Sequence, residues 1–128
     1  MTSHYKPQGY NSVSPYLIVS DATASLDFLV RTFAATELYR LQGDDGKIMH
    51  AEIRIDDSVL MLADGGDGFP AQPAHVHVYV ADVDACYQKA LAAGATPVQE
   101  PVQKEDADKR GGVKDSGGTT WWIGTKMR

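Results

Sequence analysis

The sequence repeats one arrangement of residues in its two halves, and this repeat restricts the chain to folds built from two similar units. Val19-Ser20-Asp21 in the first half corresponds to Val80-Ala81-Asp82 in the second, with Asp21 and Asp82 61 residues apart. Ala35-Thr36 corresponds to Ala95-Thr96 at a separation of 60 residues. A regular period of this kind within one short chain indicates that a supersecondary unit has been duplicated.

The pattern within each half predicts a strand, a helix and three further strands. Alternating apolar residues predict the strands, and Ser20-Asp21 and Ala81-Asp82 are typical of the residues that cap helices. In the first helix, apolar residues from Leu26 to Phe33, Val30 among them, recur at helical spacing, which predicts one buried face. The predicted strands are residues 14–19, 36–41, 50–55 and 59–62 in the first half, and 75–80, 96–102, 110–114 and 119–125 in the second.

These elements predict one α+β domain made of two βαβββ units. Residues 1–11 are polar and lack periodicity, so they are expected to form a flexible N-terminal arm, and residues 12–128 form the domain. Repeat one covers about 12–64, a linker rich in Gly, Pro and Asp covers 65–73, and repeat two covers about 74–125. Because one unit cannot cover its sheet on both sides, the two are expected to form a cupped mixed sheet around a shared hollow, with the helices outside.

The composition excludes several classes of partner. The net charge is −5 and no basic stripe is present, so the chain lacks the cations that bind nucleic-acid phosphates or anionic lipid. No apolar run approaches the length of a transmembrane helix, and the first 25 residues lack the pattern of a secretory signal. A cytoplasmic location is therefore expected. The single cysteine, Cys86, excludes a disulfide within the chain, and we expect it to be a buried small hydrophobe on a helix.

Polar and aromatic residues alternate with apolar ones along several strands. If the consistently apolar positions pack on the helices, the alternate positions point into the hollow. A buried polar group without a partner costs about 1–3 kcal/mol, so a hollow lined in this way is expected to hold water or a ligand. The inward set comprises Ser14, Tyr16 and Ile18; His50, Glu52 and Arg54; Val59 and Met61; His75, His77 and Tyr79; and Trp122.

Five segments of the chain carry a family resemblance: residues 15–21, 47–62, 78–84, 92–95 and 114–123. Taken in order, they resemble the vicinal oxygen chelate superfamily, which includes glyoxalase I, bleomycin-resistance proteins and extradiol dioxygenases. The resemblance covers about residues 12–125 and looks closest to a bacterial glyoxalase-like branch. It also implies the two-βαβββ fold. In the last segment, Ser116 replaces the proline that is usual in the family's Asp-Pro-x-Gly turn.

The resemblance also suggests where a metal site would lie, because family enzymes commonly bind one divalent ion through four inward positions. Those positions correspond here to Ser14, Met61, His75 and Trp122. Only His75 is a good ligand for such an ion, since a thioether suits Mg, Mn or Fe(II) poorly and an indole cannot ligate. The usual metal site, and with it a metal cofactor, is therefore expected to be absent. The alternative is one divalent metal at a relocated 2-His-1-carboxylate site formed by His50, Glu52 and His75.

Two functions follow from these residues. The first is metal-independent binding of a small molecule, as in drug-sequestering resistance proteins, by a homodimer whose cavities take residues from both chains. The second is a metal-dependent lyase, isomerase or dioxygenase, with Glu52 or His50 as the catalytic base. A third interpretation is a ligand-sensing module of two ferredoxin-like halves. The expected ligand-binding residues are Tyr16, His50, Glu52, Met61, His75, His77, Tyr79, Trp122 and Arg110.

Each polar candidate also has a simpler interpretation. The histidines could hydrogen-bond locally, and Glu52 could pair with Arg54. Arg110, with Lys109 beside it, could hold an anionic substrate or remain a solvated charge. Asp108 is expected to be a surface charge.

Overall fold

A computed structural model describes residues 4–128, and both halves have the predicted order of one strand, one helix and three strands. Residues 1–3 of the predicted arm lie outside the described residues, and the flexibility of the arm stays a prediction. The first half contains β1 (Tyr16–Val19), α1 (Ala22–Phe33), β2 (Thr36–Gln42), β3 (Ile48–Ile55) and β4 (Ser58–Asp64). The second half contains β5 (Ala74–Tyr79), α2 (Val83–Ala92), β6 (Thr96–Gln103), β7 (Asp108–Lys114) and β8 (Thr119–Lys126).

Each half forms its own four-stranded mixed sheet. The strand order is β1-β4-β3-β2 in the first sheet and β5-β8-β7-β6 in the second. In both sheets the first strand pairs with the last in parallel, and the other pairs are antiparallel. Both halves therefore have three strands after the helix, which confirms the two-βαβββ prediction. The ferredoxin-like alternative is wrong, because it lacks one of these strands.

The helices begin where the sequence predicts. The carboxylate of Asp21 accepts a hydrogen bond from the backbone N–H of Ala24, and Asp82 does the same for Ala85, both at 3.1 Å. The buried face of α1 differs in part from the prediction, since Val30 is exposed and Phe28 is buried. Within residues 4–128, neither helix is long and apolar enough to cross a membrane.

One hydrophobic core joins the two halves. Phe28 and Phe33 of α1 pack on Trp121 of β8, with ring centroids 6.4 and 5.7 Å apart. The Sγ of Cys86 lies 3.6 Å from the carbonyl oxygen of Thr32 on the other helix, and burial raises the pKa of this thiol to about 11. The prediction that Cys86 is buried is confirmed. Because each half contributes to the same core, the halves stabilise each other.

The turn before β8 also connects the halves. The carboxylate of Asp115 accepts hydrogen bonds from the backbone N–H groups of Gly117 and Thr119, and from Nε1 of Trp121. The carbonyl of Gly117 accepts a hydrogen bond from the N–H of Ser20, at the end of β1. A Cβ atom at Gly117 would lie only 2.3 Å from Oγ of Ser25, so the contact between the halves requires glycine here.

The end of the arm lies against the first sheet. The hydroxyl of Tyr10 donates a hydrogen bond to Glu52, the carbonyl of Gly9 accepts one from Arg54, and the Asn11 side chain accepts one from the N–H of Val59. Val59 is fully buried. The arm thus lies over the second half of β3 and the start of β4.

Candidate functional site

The strand registers place the polar candidates of the first half on one face of their sheet. Met61 of β4 is paired with Glu52 of β3 on one side and with Tyr16 of β1 on the other. His50 lies two residues before Glu52, and residues two apart on a strand share a face. This face is opposite the one that packs on the helix, and we call it the first open face.

A hydrogen-bonded triad runs across this open face. The hydroxyl of Tyr16 lies 2.8 Å from Nδ1 of His50, and Nε2 of His50 lies 2.8 Å from Oε2 of Glu52. Tyr10 donates to the other carboxylate oxygen of Glu52 at 2.5 Å. The hydrogen bonds from Tyr10 and then His50 lower the pKa of Glu52 from its ordinary value.

The triad fixes the hydrogen-bonding role of each group. With Glu52 ionised, Nε2 of His50 carries the proton that it donates to the carboxylate, so Nδ1 is left as an acceptor for the Tyr16 hydroxyl. A carboxylate, an imidazole and a hydroxyl in this order can move a proton to or from a bound molecule. The sequence predicts that these side chains share a face, but Glu52 contacts His50 and Tyr10 instead of Arg54.

A cavity of about 910 Å³ lies beside the triad on the first open face. Its floor is formed by strand residues: Tyr16, Ile18, Ile48 and Ala63. Its walls are the β2–β3 turn, residues 43–47, and the start of the linker, residues 65–69. Ile48 is only 1% exposed and belongs to the hydrophobic core, next to a register shift at which Gln42 pairs with Ile48 and Leu41 with His50. The volume is within the usual range of about 300–1,000 Å³ for small-molecule sites.

Asp64 holds this cavity together at its base. Its Oδ1 accepts a hydrogen bond from the N–H of Ala22 at 2.8 Å, and its Oδ2 accepts one from the N–H of Ile48 at 2.7 Å. The carboxylate therefore ties the first turn of α1 to the start of β3, and its charge is stabilised by the helix N-terminus. The sequence interpretation does not include Asp64 or the two walls among the site residues, since none has a periodic position.

The open face of the second sheet carries the remaining ligand-binding candidates. Nε1 of Trp122 donates to Nδ1 of His75 at 3.1 Å, and the two rings stack with centroids 6.2 Å apart. Trp122 lies against Gly112, where an added Cβ would come within 2.7 Å of the indole. Nδ1 of His75 and Nε1 of Trp122 are therefore paired with each other on this face.

Arg110 organises the rest of the second open face. Its guanidinium donates to Nε2 of His77 at 3.1 Å, to Asp108 at 2.7 Å and to Asp106 at 3.2 Å. The Tyr79 hydroxyl also donates to Asp108, at 2.6 Å. Asp108 is only 9% exposed, so the expectation of a surface charge at this position is wrong. Burial, followed by the nearby Arg110 charge, lowers the pKa of His77, and the hydrogen bond to Asp108 raises the pKa of Tyr79.

The residues present do not fit the metal site that the family commonly has. Ser14 and Met61 stand at two of its positions, and at a third Trp122 donates its only N–H to His75. The relocated set of His50, Glu52 and His75 is brought together only in part. His50 contacts Glu52, whereas His75 lies on the other sheet. Within residues 4–128 of one chain, no three His, Cys, Asp or Glu side chains are grouped so that they could hold a metal ion.

Comparisons with known proteins agree with this architecture. An uncharacterised protein of Mycobacterium bovis is 39% identical in an alignment of 128 positions, which covers 91% of this chain and 84% of the relative. The crystal structure of TioX from Micromonospora sp. ML1 is similar, with a TM-score of 0.77, 27% identity, and coverage of 91% of this chain and 98% of that one. A glyoxalase-related enzyme from Fulvimarina pelagi shares the fold, with a TM-score of 0.72, 18% identity, and coverage of 90% and 88%.

The family assignment rests on sequence as well as on fold. A sequence model of one superfamily matches residues 9–123, a range that runs from the contact of Gly9–Asn11 with the first sheet into β8, the last strand of the second unit. The chain belongs to the Glyoxalase/Bleomycin resistance protein/Dioxygenase superfamily.

Proposed function

We propose that this protein binds a small organic molecule in the cavity of the first open face, without a metal at the positions that the family commonly uses. The observation that carries the proposal is the position of Tyr16. Its ring forms part of the cavity floor, and its hydroxyl ends the triad of Glu52, His50 and Tyr16. An apolar cavity with a few oriented polar groups is the usual form of a small-molecule site.

The proposal also includes a homodimer. Large side chains remain exposed on both open faces, where Tyr16 is 48% exposed and Tyr79 is 61% exposed. Exposed apolar surface of this kind commonly marks an interaction site. A second copy that covers these faces would bring His75, His77, Trp122 and Arg110 towards the ligand. A reducing compartment such as the cytoplasm suits the single free thiol of Cys86.

A thermal-shift screen in excess EDTA tests the proposal. A compound that binds only the folded protein raises its Tm, so we expect at least one organic compound to do so with metals removed. Thiols, aromatic diols, amines and antibiotics form the screen. If no organic compound raises the Tm in EDTA, and metal ions alone raise it when EDTA is omitted, the proposal is wrong.

Two variants locate the binding site. We expect Ile18→Trp, which adds volume at the half-exposed cavity floor, to abolish the shift, while Val98→Trp on the exposed face of β6 retains it. We expect Tyr16→Phe to weaken binding of a polar ligand about three- to tenfold through loss of one hydrogen bond. Tyr5→Phe in the arm is the matched control. An unchanged affinity in Ile18→Trp would place the ligand elsewhere.

A second candidate function is that of a metal-dependent lyase, isomerase or dioxygenase. The observation that favours it is the half-buried pair of His50 and Glu52, which supplies two of the three ligands in the relocated set. In a homodimer, His75 could come from the partner subunit. This candidate predicts stoichiometric Fe, Zn, Mn or Ni in the purified protein, and loss of that metal in His50→Ala and in His75→Ala.

A further inference from the structure

The walls of the first cavity carry an unbalanced negative charge. Asp44 and Asp45 lie in the β2–β3 turn, Asp67 lies in the linker, and Lys47 is the one cation among the lining residues. Lys47 forms no ion pair with a carboxylate anywhere in residues 4–128. Asp64 lies at the base of the cavity, where two backbone N–H groups hold its carboxylate. At the rim, Oδ1 of Asp45 accepts one hydrogen bond from the backbone N–H of Lys47. The three rim carboxylates and Lys47 together give a net charge of about −2 at neutral pH, when carboxylates are ionised and lysine is protonated.

The interior of the same cavity is apolar and partly aromatic. Tyr16 lies on the floor and Phe69 lies in the linker wall, where it is 67% exposed. Ile18, Ile48 and Ala63 complete the floor. A flat apolar body can pack against these groups, and a cation at its edge is attracted both by the rim carboxylates and by aromatic rings.

The cavity on the second open face provides an internal comparison. It measures about 450 Å³ and is lined by both charged signs, with Lys104 and Arg110 among the acids. Arg110 is paired with Asp106 and Asp108, so much of that charge is neutralised within the wall. The first cavity therefore differs from this one in having fewer cations to neutralise its carboxylates.

We infer that the first cavity takes an organic cation, in which a protonated amine is attached to a flat apolar body. The inference rests on the proposed function, because it assigns a ligand class to the same cavity. The apolar body occupies the floor against Tyr16 and Phe69, and the ammonium group lies at the rim near Asp44, Asp45 and Asp67. The opposite charge at the amine position would be repelled by the same rim.

Three indole compounds of similar size and different charge test the inference. They are tryptamine, which is cationic, tryptophol, which is neutral, and indole-3-propionate, which is anionic. Isothermal titration calorimetry in low salt is expected to give tryptamine an affinity about tenfold higher than that of tryptophol, with indole-3-propionate the weakest. We expect the preference for tryptamine to shrink at 0.5 M salt, because salt screens exposed charges.

Charge variants attribute the preference to the rim. The triple variant Asp44→Asn, Asp45→Asn and Asp67→Asn leaves Lys47 as the charged side chain of the rim, and it is expected to abolish the preference for tryptamine over tryptophol. Phe69→Ala removes an exposed ring and is expected to weaken both compounds. The matched control changes three carboxylates outside this cavity: Asp27→Asn, Asp57→Asn and Glu100→Gln.

The outcomes separate this inference from the proposed function. Equal binding of all three compounds in the wild type, lost in Ile18→Trp, overturns the cation inference and leaves the cavity as the ligand site. Tryptamine binding that survives in Ile18→Trp overturns both. Absence of heat with all three compounds overturns the inference, and the EDTA screen then decides the proposed function on its own.

Discussion

At the scale of single residues, the polar side chains of the two open faces are partners of one another. His50 lies between Tyr16 and Glu52, and His77 accepts a hydrogen bond from Arg110. Each histidine is thus held in one tautomer by its neighbour. The two differ in the sign of the nearest charge, since His50 contacts a carboxylate and His77 contacts a guanidinium.

The environment of His77 predicts a pH dependence of stability. Because its pKa is lowered by burial and by Arg110, the unfolded chain takes up a proton at a higher pH than the folded chain does. The free energy of unfolding is therefore expected to fall as the pH drops below about 6.5, towards the lower pKa of folded His77.

The variant His77→Gln is expected to be less sensitive to pH over this range. The Tm of both proteins measured from pH 8.0 to pH 5.5 checks the effect. Parallel curves for the wild type and His77→Gln would contradict it.

At the scale of the elements, the turn before β8 shows how one carboxylate organises a loop. Asp115 is 5% exposed and accepts three hydrogen bonds, from two backbone N–H groups and from Trp121. None of these contacts uses the side chain of residue 116. The turn therefore keeps its form although Ser116 stands where the family usually has proline.

Removal of this carboxylate is expected to be costly. Asp115→Ala leaves three donors without their acceptor in a buried place, and we expect the free energy of unfolding to fall by about 3 kcal/mol or more. Chemical denaturation checks the loss, with Asp44→Ala in the exposed β2–β3 turn as a control that should change little. A loss below about 1 kcal/mol for Asp115→Ala would mean that water replaces the carboxylate.

The elements also show what could be predicted from the sequence. The order of strands and helices and the face of each strand follow from local periodicity, so Tyr16, His50, Glu52 and Met61 were placed together correctly. The cavity walls could not be found in this way. Asp45 and Phe69 lie in loops without periodicity, and the fold of distant segments decides which strand face those loops cover.

Partners in the site were harder to predict than positions. The contact of Glu52 with Tyr10 joins residues 42 apart in sequence, and a periodic pattern contains no information about such a pair. The burial of Asp108 on β7 was missed for a similar reason, since Tyr79, which donates a hydrogen bond to it, lies on β5 and is 29 residues away in sequence.

At the scale of the whole molecule, the shared core predicts that the two units do not unfold separately. Phe28 of α1 lies in the first unit and contacts Trp121 of the second. We expect Phe28→Ala to lower the free energy of unfolding by about 3–5 kcal/mol and to destabilise both sheets equally. Val30→Ala, at an exposed position of the same helix, is the control.

Two probes of one transition check this expectation. Far-UV circular dichroism follows both sheets, and tryptophan fluorescence follows Trp121 and Trp122 in the second. Coincident denaturation curves for the wild type and Phe28→Ala indicate a single cooperative unit. Two separated transitions would show that the duplicated units retain independent stability.

The carboxylate of Asp64 has a consequence for how proteins with this scaffold could diversify. It secures α1 and β3 from below, whereas residues 43–47 and 65–69 surround the opening without contributing to the hydrophobic core. Mutations at the non-glycine positions of those loops can therefore accumulate at little cost to folding, whereas a Cβ at Gly65 would lie 2.6 Å from the backbone of Ala71. New recognition properties could arise by exchange of two short surface segments while the anchoring aspartate stays constant.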